Sequence, residues 1–530
     1  MDTEQPRLEF PKGPTKSHFI TIPNKGTLRG LINFSPTDPE EELNYCYYGV
    51  RYAQPPLELL RWEKPQPLPD SYTYDGDYTQ IRPVCPQESS DELVEENPPL
   101  KFSEDCLILN IWIPAGTPPA GGWPVQYFIH GGFLQSGTPN LEYYVDPRNL
   151  QKKDSPARYI VVAVGYRLNV FGFMSSSSHL EGANFGHWDI RMGLEWVYNN
   201  IEHFNGNPDN ITVAGLSAGA HCTNLQLAYE MYHPEVNQII KRIHLISNAV
   251  AYQPKSQDEG QIVFSKFVHA LHYVKDEDLI SKLRSKNRQD LVSYHSMIPY
   301  YRFRTITDGE FVSETLAHDI YSGKFGQMFQ ASGRSLLLGE VEGERLSYAK
   351  YNPPKTTEVV AEALSGMYPT DVVQCLISQY DSVDYHDDGH YGSILSDMQV
   401  YTSERILVDA LIRGGTPLSR IYRYRINFRL DLLDHLGVPE DHHVPHAGDM
   451  GIWYRTVFLT TDEQKLVDEW LDPIGRFYQT GVINDWGTTV PTDRRVLTET
   501  GQIIIDRDDG QWDLAMETRD RLRKLYIGSR

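Results

Sequence analysis

Residues 210–231 read NITVAGLSAGAHCTNLQLAYEM. A β-branched run, NITVAG, ends at Gly215, and a helical pattern leaves from Ala220. Between them stands Gly215-Leu216-Ser217-Ala218-Gly219, a G-x-S-x-G. Alone, the five-residue pattern says little, because small residues gather at many strand–helix turns. Set between a strand and a helix, it predicts a serine on a sharp, strained turn, held above a sheet. Glycines two before and two after remove the side chains that would collide there. The helix N-terminus adds its dipole and free N–H groups for a developing negative charge. Ser217 is therefore the candidate nucleophile.

Outward from this turn, short apolar runs alternate with helical stretches. Strands are predicted at 123–129, 157–164, 210–215, 242–247, 334–339 and 420–426, several ending at Gly or Ser as strands of a buried sheet do. Helical spacing is plainest at 189–201 and 220–231. This alternation predicts an α/β fold, with a large, mostly parallel central sheet and helices on both faces. Residues from about 260 to 330 read as helices and loops, a cap or insertion over the sheet edge. With no internal repeat, low-complexity tract or long linker, residues 1–530 are read as one domain with insertions.

Composition narrows the partners. The 530-residue chain is 40% hydrophobic and 23% charged, ordinary for a globular protein. Its 49 basic and 71 acidic side chains give a net charge of −22, which repels nucleic acid and anionic membranes. No apolar run is long enough to span a membrane. The opening MDTEQPRLEFPKGP lacks a basic n-region and an apolar h-region, so an intracellular protein is expected, or a secreted one whose leader was removed. Five cysteines are too few for a disulfide scaffold. The oligomeric state is left open.

A serine hydroxyl needs a base, and the base works best when a third group orients it. In a strand–Ser–helix enzyme these follow in the order acid, then histidine. After the strand at 334–339 come Glu340, Glu342 and Glu344; after 420–426 comes a loop with His442, His443 and His446. Order alone does not choose among them. The cluster from Asp384 to His390 could suggest metal ligation, but nothing around it predicts an ordered element, so it is read as a polar loop. No metal and no cofactor are expected.

At this point the chain resembles the type-B carboxylesterases and lipases of the α/β-hydrolase superfamily, and its wording is most like the fungal members. The resemblance runs from about residue 20 to 520 and rests on several segments in the family's order. These are YYGVRYAQPPLELLRWEKPQP (47–67), SEDCLILNIWIP (103–114), GYRLNVFGFM, NFGHWDIRMGLEWVYNNI, FNGNPDNITVAGLSAGA, TDGEF (307–311) and SDMQVYTSERILVDAL (396–411).

The family's acid is usually a glutamate in G-x-x-x-x-E-G. Counting from Gly339, the resemblance makes Glu344 the acid, although Arg345 replaces the following glycine and Glu342-Gly343 stays an alternative. The family's H-G-x-E matches His446-Ala447-Gly448-Asp449 and implies His446 as base, with His442 and His443 on the solvent side. Cys85 and Cys106 resemble the family's first disulfide pair, against which stand two reduced thiols in an intracellular protein.

The family's oxyanion loop, H/Y-G-G-G-F-x-x-G, appears as His130-Gly131-Gly132-Phe133-Leu134-Gln135-Ser136-Gly137. If Phe133 replaces the third glycine, the donors are the N–H groups of Gly132, Phe133 and Ala218. If one glycine is deleted, Gly131 and Gly132 serve instead. Substitution is preferred, because it keeps the spacing to Gly137.

The resemblance thus implies a serine carboxylic ester hydrolase acting through an acyl-enzyme on a small-molecule ester. The segment after Cys85 lacks the tryptophan that cholinesterases use for a quaternary ammonium, and Leu216 replaces the usual glutamate before the serine. Both departures favour a neutral, apolar or aromatic ester. The alternatives are an acyltransferase or cyclising enzyme of secondary metabolism with the same acyl-enzyme, and a non-catalytic binding protein. The aromatic residues at Tyr300, Tyr301 and Phe303 suggest either an aromatic entrance or core packing.

Overall fold

The computed structural model describes residues 11–88, 101–140, 145–273, 278–350, 354, 359–380 and 389–528. The Asp384–His390 cluster lies outside them, apart from the backbone of its last two residues, which opens a helix at Gly389–Ser396.

One sheet organises the described residues. Its strands are β1 (Thr15–Ile22), β2 (Gly26–Phe34), β3 (Glu42–Arg51), β4 (Gly76–Asp77), β5 (Ile108–Pro114), β6 (Trp123–Ile129) and β7 (Ile160–Val164). There follow β8 (Gly206–Leu216), β9 (Ile240–Ile246), β10 (Ser335–Val341), β11 (Ile421–Ile426), β12 (Asp493–Leu497) and β13 (Ile503–Arg507). The order is β1-β2-β3-β5-β7-β6-β8-β9-β10-β11-β12-β13, with β4 on β2. From β7 to β12 every neighbouring pair is parallel. Both margins are antiparallel, apart from the short β4, which pairs with β2 in parallel.

The parallel centre is buried on both faces, as its unbroken apolar runs require. In β7, Ile160, Val162 and Val164 join one apolar cluster while Val161 and Ala163 join the other. The first cluster takes in the helices Phe185–Asn200 and Ala218–Tyr232, and the second takes in the helix Thr461–Thr480. Helices therefore cover both faces of the sheet, the layering that the alternation predicts.

Residues 257–296 form the helices Gln257–Ala270, Leu279–Ser285 and Arg288–Ser296, which pack on the first cluster through Phe264, Phe267, Leu283 and Leu291. A segment without regular structure then carries Phe303, Arg304 and Thr305 toward the C-terminal end of β8. Among the described residues, no helix is long and apolar enough to cross a membrane.

Candidate active site

The C-terminal ends of β6, β8, β10 and β11 lie side by side, and each delivers one part of the site. β8 runs into Ser217, whose backbone sits at φ 57° and ψ −124°, and the helix Ala218–Tyr232 begins at once. A non-glycine residue in this region stores roughly 1–3 kcal/mol of strain. The turn tolerates it because the Ser217 N–H is tied to the Ile246 carbonyl of β9 at 2.8 Å. The flanking glycines are obligatory: a Cβ on Gly215 would meet the Gly219 carbonyl oxygen at 2.2 Å, and one on Gly219 the Ile129 oxygen at 2.0 Å.

Three glutamates follow β10, and the backbone separates them. Glu340, still in the strand, is buried against Arg405, Arg425 and Arg494. Burial alone would raise its pKa, but Arg405 first and then the other two guanidinium groups outweigh it and hold Glu340 at about 2. Glu342 is half-buried, and its Oε2 has no hydrogen-bond partner among the described residues. Glu344 opens the short helix Glu344–Lys350 and is fully buried. Its Oε2 accepts from His446 Nδ1 at 2.5 Å, and its Oε1 from the Val341 N–H at 3.2 Å. Arg345 stands exposed in the first turn of that helix, where a side chain meets no obstacle, so the missing family glycine costs nothing locally.

The histidine loop follows β11 and is pinned to the acid turn. The Gly343 N–H donates to the Val444 carbonyl at 2.8 Å, and Gly343 bridges to Pro445. His443 is exposed and His442 half-buried in the turn Glu440–His442. The Nε2 of His446 is buried with no hydrogen-bond partner among the described residues. Its Nδ1 is held by a carboxylate, which leaves Nε2 as the nitrogen that can accept a proton. Asp449, three residues on, is buried and donated to by the Trp453 indole at 2.6 Å. Burial raises its carboxyl to about 6, against the Trp453 bond and with the Glu344 charge adding.

β6 delivers the glycine loop. Gly132 lies at φ 105°, and Phe133 itself adopts φ 56°, the conformation a glycine would take freely. Gln135 and Ser136 fold back onto the Gly132 carbonyl, at 2.8 and 3.0 Å. Among the described residues, no acceptor takes the N–H of Gly132 or of Ala218. Gly131 packs against the serine turn, where an added Cβ would lie 3.1 Å from Ser217 Cβ. Cys85 and Cys106 are joined by a disulfide. It lies beside the loop's outer end, where Gln87 exchanges hydrogen bonds with the Gly137 backbone at 2.8 and 2.9 Å.

Two residues that the sequence does not single out stand in the site. Tyr348, one helical turn after Glu344, is buried with its ring 5.0 Å from the His446 ring and 5.9 Å, edge-on, from Phe133. Its hydroxyl lies against Ser217 without closing a well-aligned hydrogen bond. Burial, then the Glu344 charge, pushes the phenol well above its ordinary pKa, so it stays protonated. Arg304 donates through Nη1 to the Phe133 carbonyl at 3.1 Å, and its guanidinium lies 5.7 Å over the Phe133 ring. The periodicity of the Glu344 helix could have flagged Tyr348, since one turn puts it on the same face. Nothing local flags Arg304. Of the aromatics singled out near it, Phe303 is core, stacked on His295 at 5.1 Å and edge-on to Phe267 at 5.5 Å.

Among the described residues, no group of three His, Cys, Asp or Glu is placed to hold a metal ion. What the strand ends bring together is a buried glutamate hydrogen-bonded to a half-buried histidine, a strained serine and a glycine loop above it.

Several known proteins similar to this chain carry ester hydrolysis in their names. The profile of the Carboxylesterase family matches residues 16–504. An uncharacterized esterase/lipase of Schizosaccharomyces pombe is 43% identical over 523 residues, covering 95% of this chain and 96% of its own. A carboxylic ester hydrolase of Gibberella moniliformis is 33% identical over 530 residues, covering 94% and 95%. An acetylcholinesterase of Bungarus fasciatus is 31% identical over 324 residues, covering 58% of this chain and 51% of its own. A profile match over nearly the whole length, on a mixed sheet with a parallel centre, makes the architecture an α/β-hydrolase fold and the activity carboxylic ester hydrolysis: the chain belongs to the carboxylesterase family.

Proposed function

We propose that the protein is a serine hydrolase in which Ser217, His446 and Glu344 act as nucleophile, base and orienting acid. The observation that carries this is His446, half-buried, with Nδ1 donating to the buried Glu344 and a buried Nε2 that has no partner among the described residues. Nε2 takes the Ser217 proton as Oγ attacks the ester carbonyl, and Glu344 stabilises the imidazolium that forms. The backbone N–H groups of Gly132, Phe133 and Ala218 receive the oxyanion. His446 returns the proton to the departing alcohol, and a water molecule then repeats the sequence on the acyl-enzyme. Product acid and free serine result.

The substrate is a small-molecule ester that is neutral, and apolar or aromatic, at the reacting bond. Leu216 and the rings of Phe133 and Tyr348 support this, since they crowd the site with apolar surface. The test is an ester panel varied in acyl length and alcohol, run on the wild type and Ser217→Ala. The variant is expected to lose at least about 10⁴-fold in kcat and all labelling by a serine-directed phosphonate. Turnover that survives the substitution removes Ser217 from its role.

A further inference from the structure

The cavity beside the nucleophile holds a cation and no anion. It is a small cleft, about 80 Å³ in cavity volume and open to solvent, with walls that include Phe133, Ala218, His221, Tyr252, Arg304 and Tyr368. Neither aspartate nor glutamate is among the described residues that line it. In a chain of net charge −22 the local sign is inverted. His221 adds no charge, because burial, with Arg304 adding, lowers it to about 4. Behind the wall, burial lowers Lys255 to about 8, with Glu259 opposing and Arg304 adding.

Arg304 is half-buried, with few of its donors used. One donor reaches the Phe133 carbonyl, Nε is buried with no acceptor, and no carboxylate pairs with it among the described residues. Elsewhere buried arginines meet acids: Arg167 pairs with Asp189, Arg334 with Glu230 and Arg405 with Glu340. Arg242 has no acid either, but Asn210, Thr212 and the Tyr478 carbonyl all accept from it. A buried Nε–H with no acceptor is costly unless a partner arrives, and the fork beside it has donors to spare. The planar fork matches a carboxylate, which accepts two of its N–H groups at once.

We propose that Arg304 is a specificity-determining residue for esters that carry a free carboxylate at a second position, held in this cavity while the neutral ester bond lies at Ser217. This rests on the esterase assignment above and adds the class of substrate. The same guanidinium holds the Phe133 carbonyl, so an anion bound there is fixed relative to the oxyanion loop.

The test uses matched ester pairs that differ only in carboxylate against primary carboxamide, one pair varied in the acyl part and one in the alcohol part. The wild type is expected to favour the carboxylate member of at least one pair by about ten- to a hundredfold in kcat/KM. Arg304→Gln lowers turnover of both members through the lost tie to Phe133, so the quantity read is their ratio, which falls toward one. Should the variant fail to fold, the wild type still decides. Its preference for the carboxylate ester is expected to shrink as ionic strength rises, and glutarate to compete with substrate where glutaramide does not. Cleavage of both pairs at equal rates, with no competition by glutarate, overturns the role of Arg304. Cleavage of no ester overturns the esterase mechanism instead.

Discussion

Glu340 and Glu344 are one helical turn apart in sequence, both buried, and have opposite surroundings. Glu340 is surrounded by Arg405, Arg425 and Arg494, and its charge is fully spent on holding strands and helices together. Glu344 has one backbone N–H and one imidazole. A carboxylate saturated by fixed cations cannot respond to a neighbouring proton. One facing a single histidine can stabilise that histidine whenever it becomes charged. Burial alone does not separate the two; the number and kind of their partners do, and on that ground Glu344 is the proposed acid.

The contrast is broken most severely at Glu344. Glu344→Gln is expected to lower kcat by about 10⁴-fold with little change in folding stability, as loss of the acid does in triads of this kind. An unfolding midpoint that falls along with kcat would make Glu344 a structural residue like Glu340.

The converse substitution, Glu340→Gln, takes the shared carboxylate from three guanidinium groups, leaves Arg405 with Asp508 as its acid, and is expected to cost about 3 kcal/mol in denaturant unfolding. Turnover per folded molecule should stay within about threefold of wild type, since Glu340 touches none of the reacting groups.

Acid titration sharpens the same difference. The carboxyl of Glu340 is depressed to about 2 in the folded protein, below its ordinary unfolded value. Its stabilisation is therefore fully present above about pH 4.5 and is lost as pH falls toward 2. The loss amounts to about 3 kcal/mol by linkage. In a urea series from pH 5 to 2, Glu340→Gln should lack this component; an unchanged slope would mean that the arginines hold another group.

The smallest effect is expected at Glu342, between the two. Glu342→Gln should change kcat by no more than about threefold, because its carboxylate contacts neither His446 nor the arginines. A loss near that of Glu344→Gln would reassign the acid.

Much of the frame is legible in the sequence, because buried parallel strands announce themselves as apolar runs. Residues 123–129 coincide with β6, and the runs at 334–339 and 420–426 fall within a residue or two of β10 and β11. The antiparallel margin is not legible. In β1, TKSHFITI, most side chains are exposed, so polar residues interrupt the signal. Among the three acids the sequence offers spacing and a family pattern, whereas the physical choice is made by a backbone change. The chain turns from strand to helix after Val341 and so re-aims Glu344 away from the arginines on Glu340. Arg304 illustrates the remaining limit. It reaches Phe133 across 171 positions of chain, and no local pattern encodes that meeting.

The tie between Gly343 and Val444 has a consequence for how the molecule comes to life. The proposed acid and base, Glu344 and His446, lie 102 residues apart in sequence and meet only when β11 has docked beside β10. That pairing closes a long loop, and contacts of this kind form slowly because their ordering cost precedes their reward. A chain with β6 to β9 assembled would already hold Ser217 on the turn, yet lack the His446 proposed as its base. Esterase turnover during refolding is thus a clock for completion of the sheet. It should start late, after the helical signal has recovered, and report the arrival of the C-terminal third of the chain.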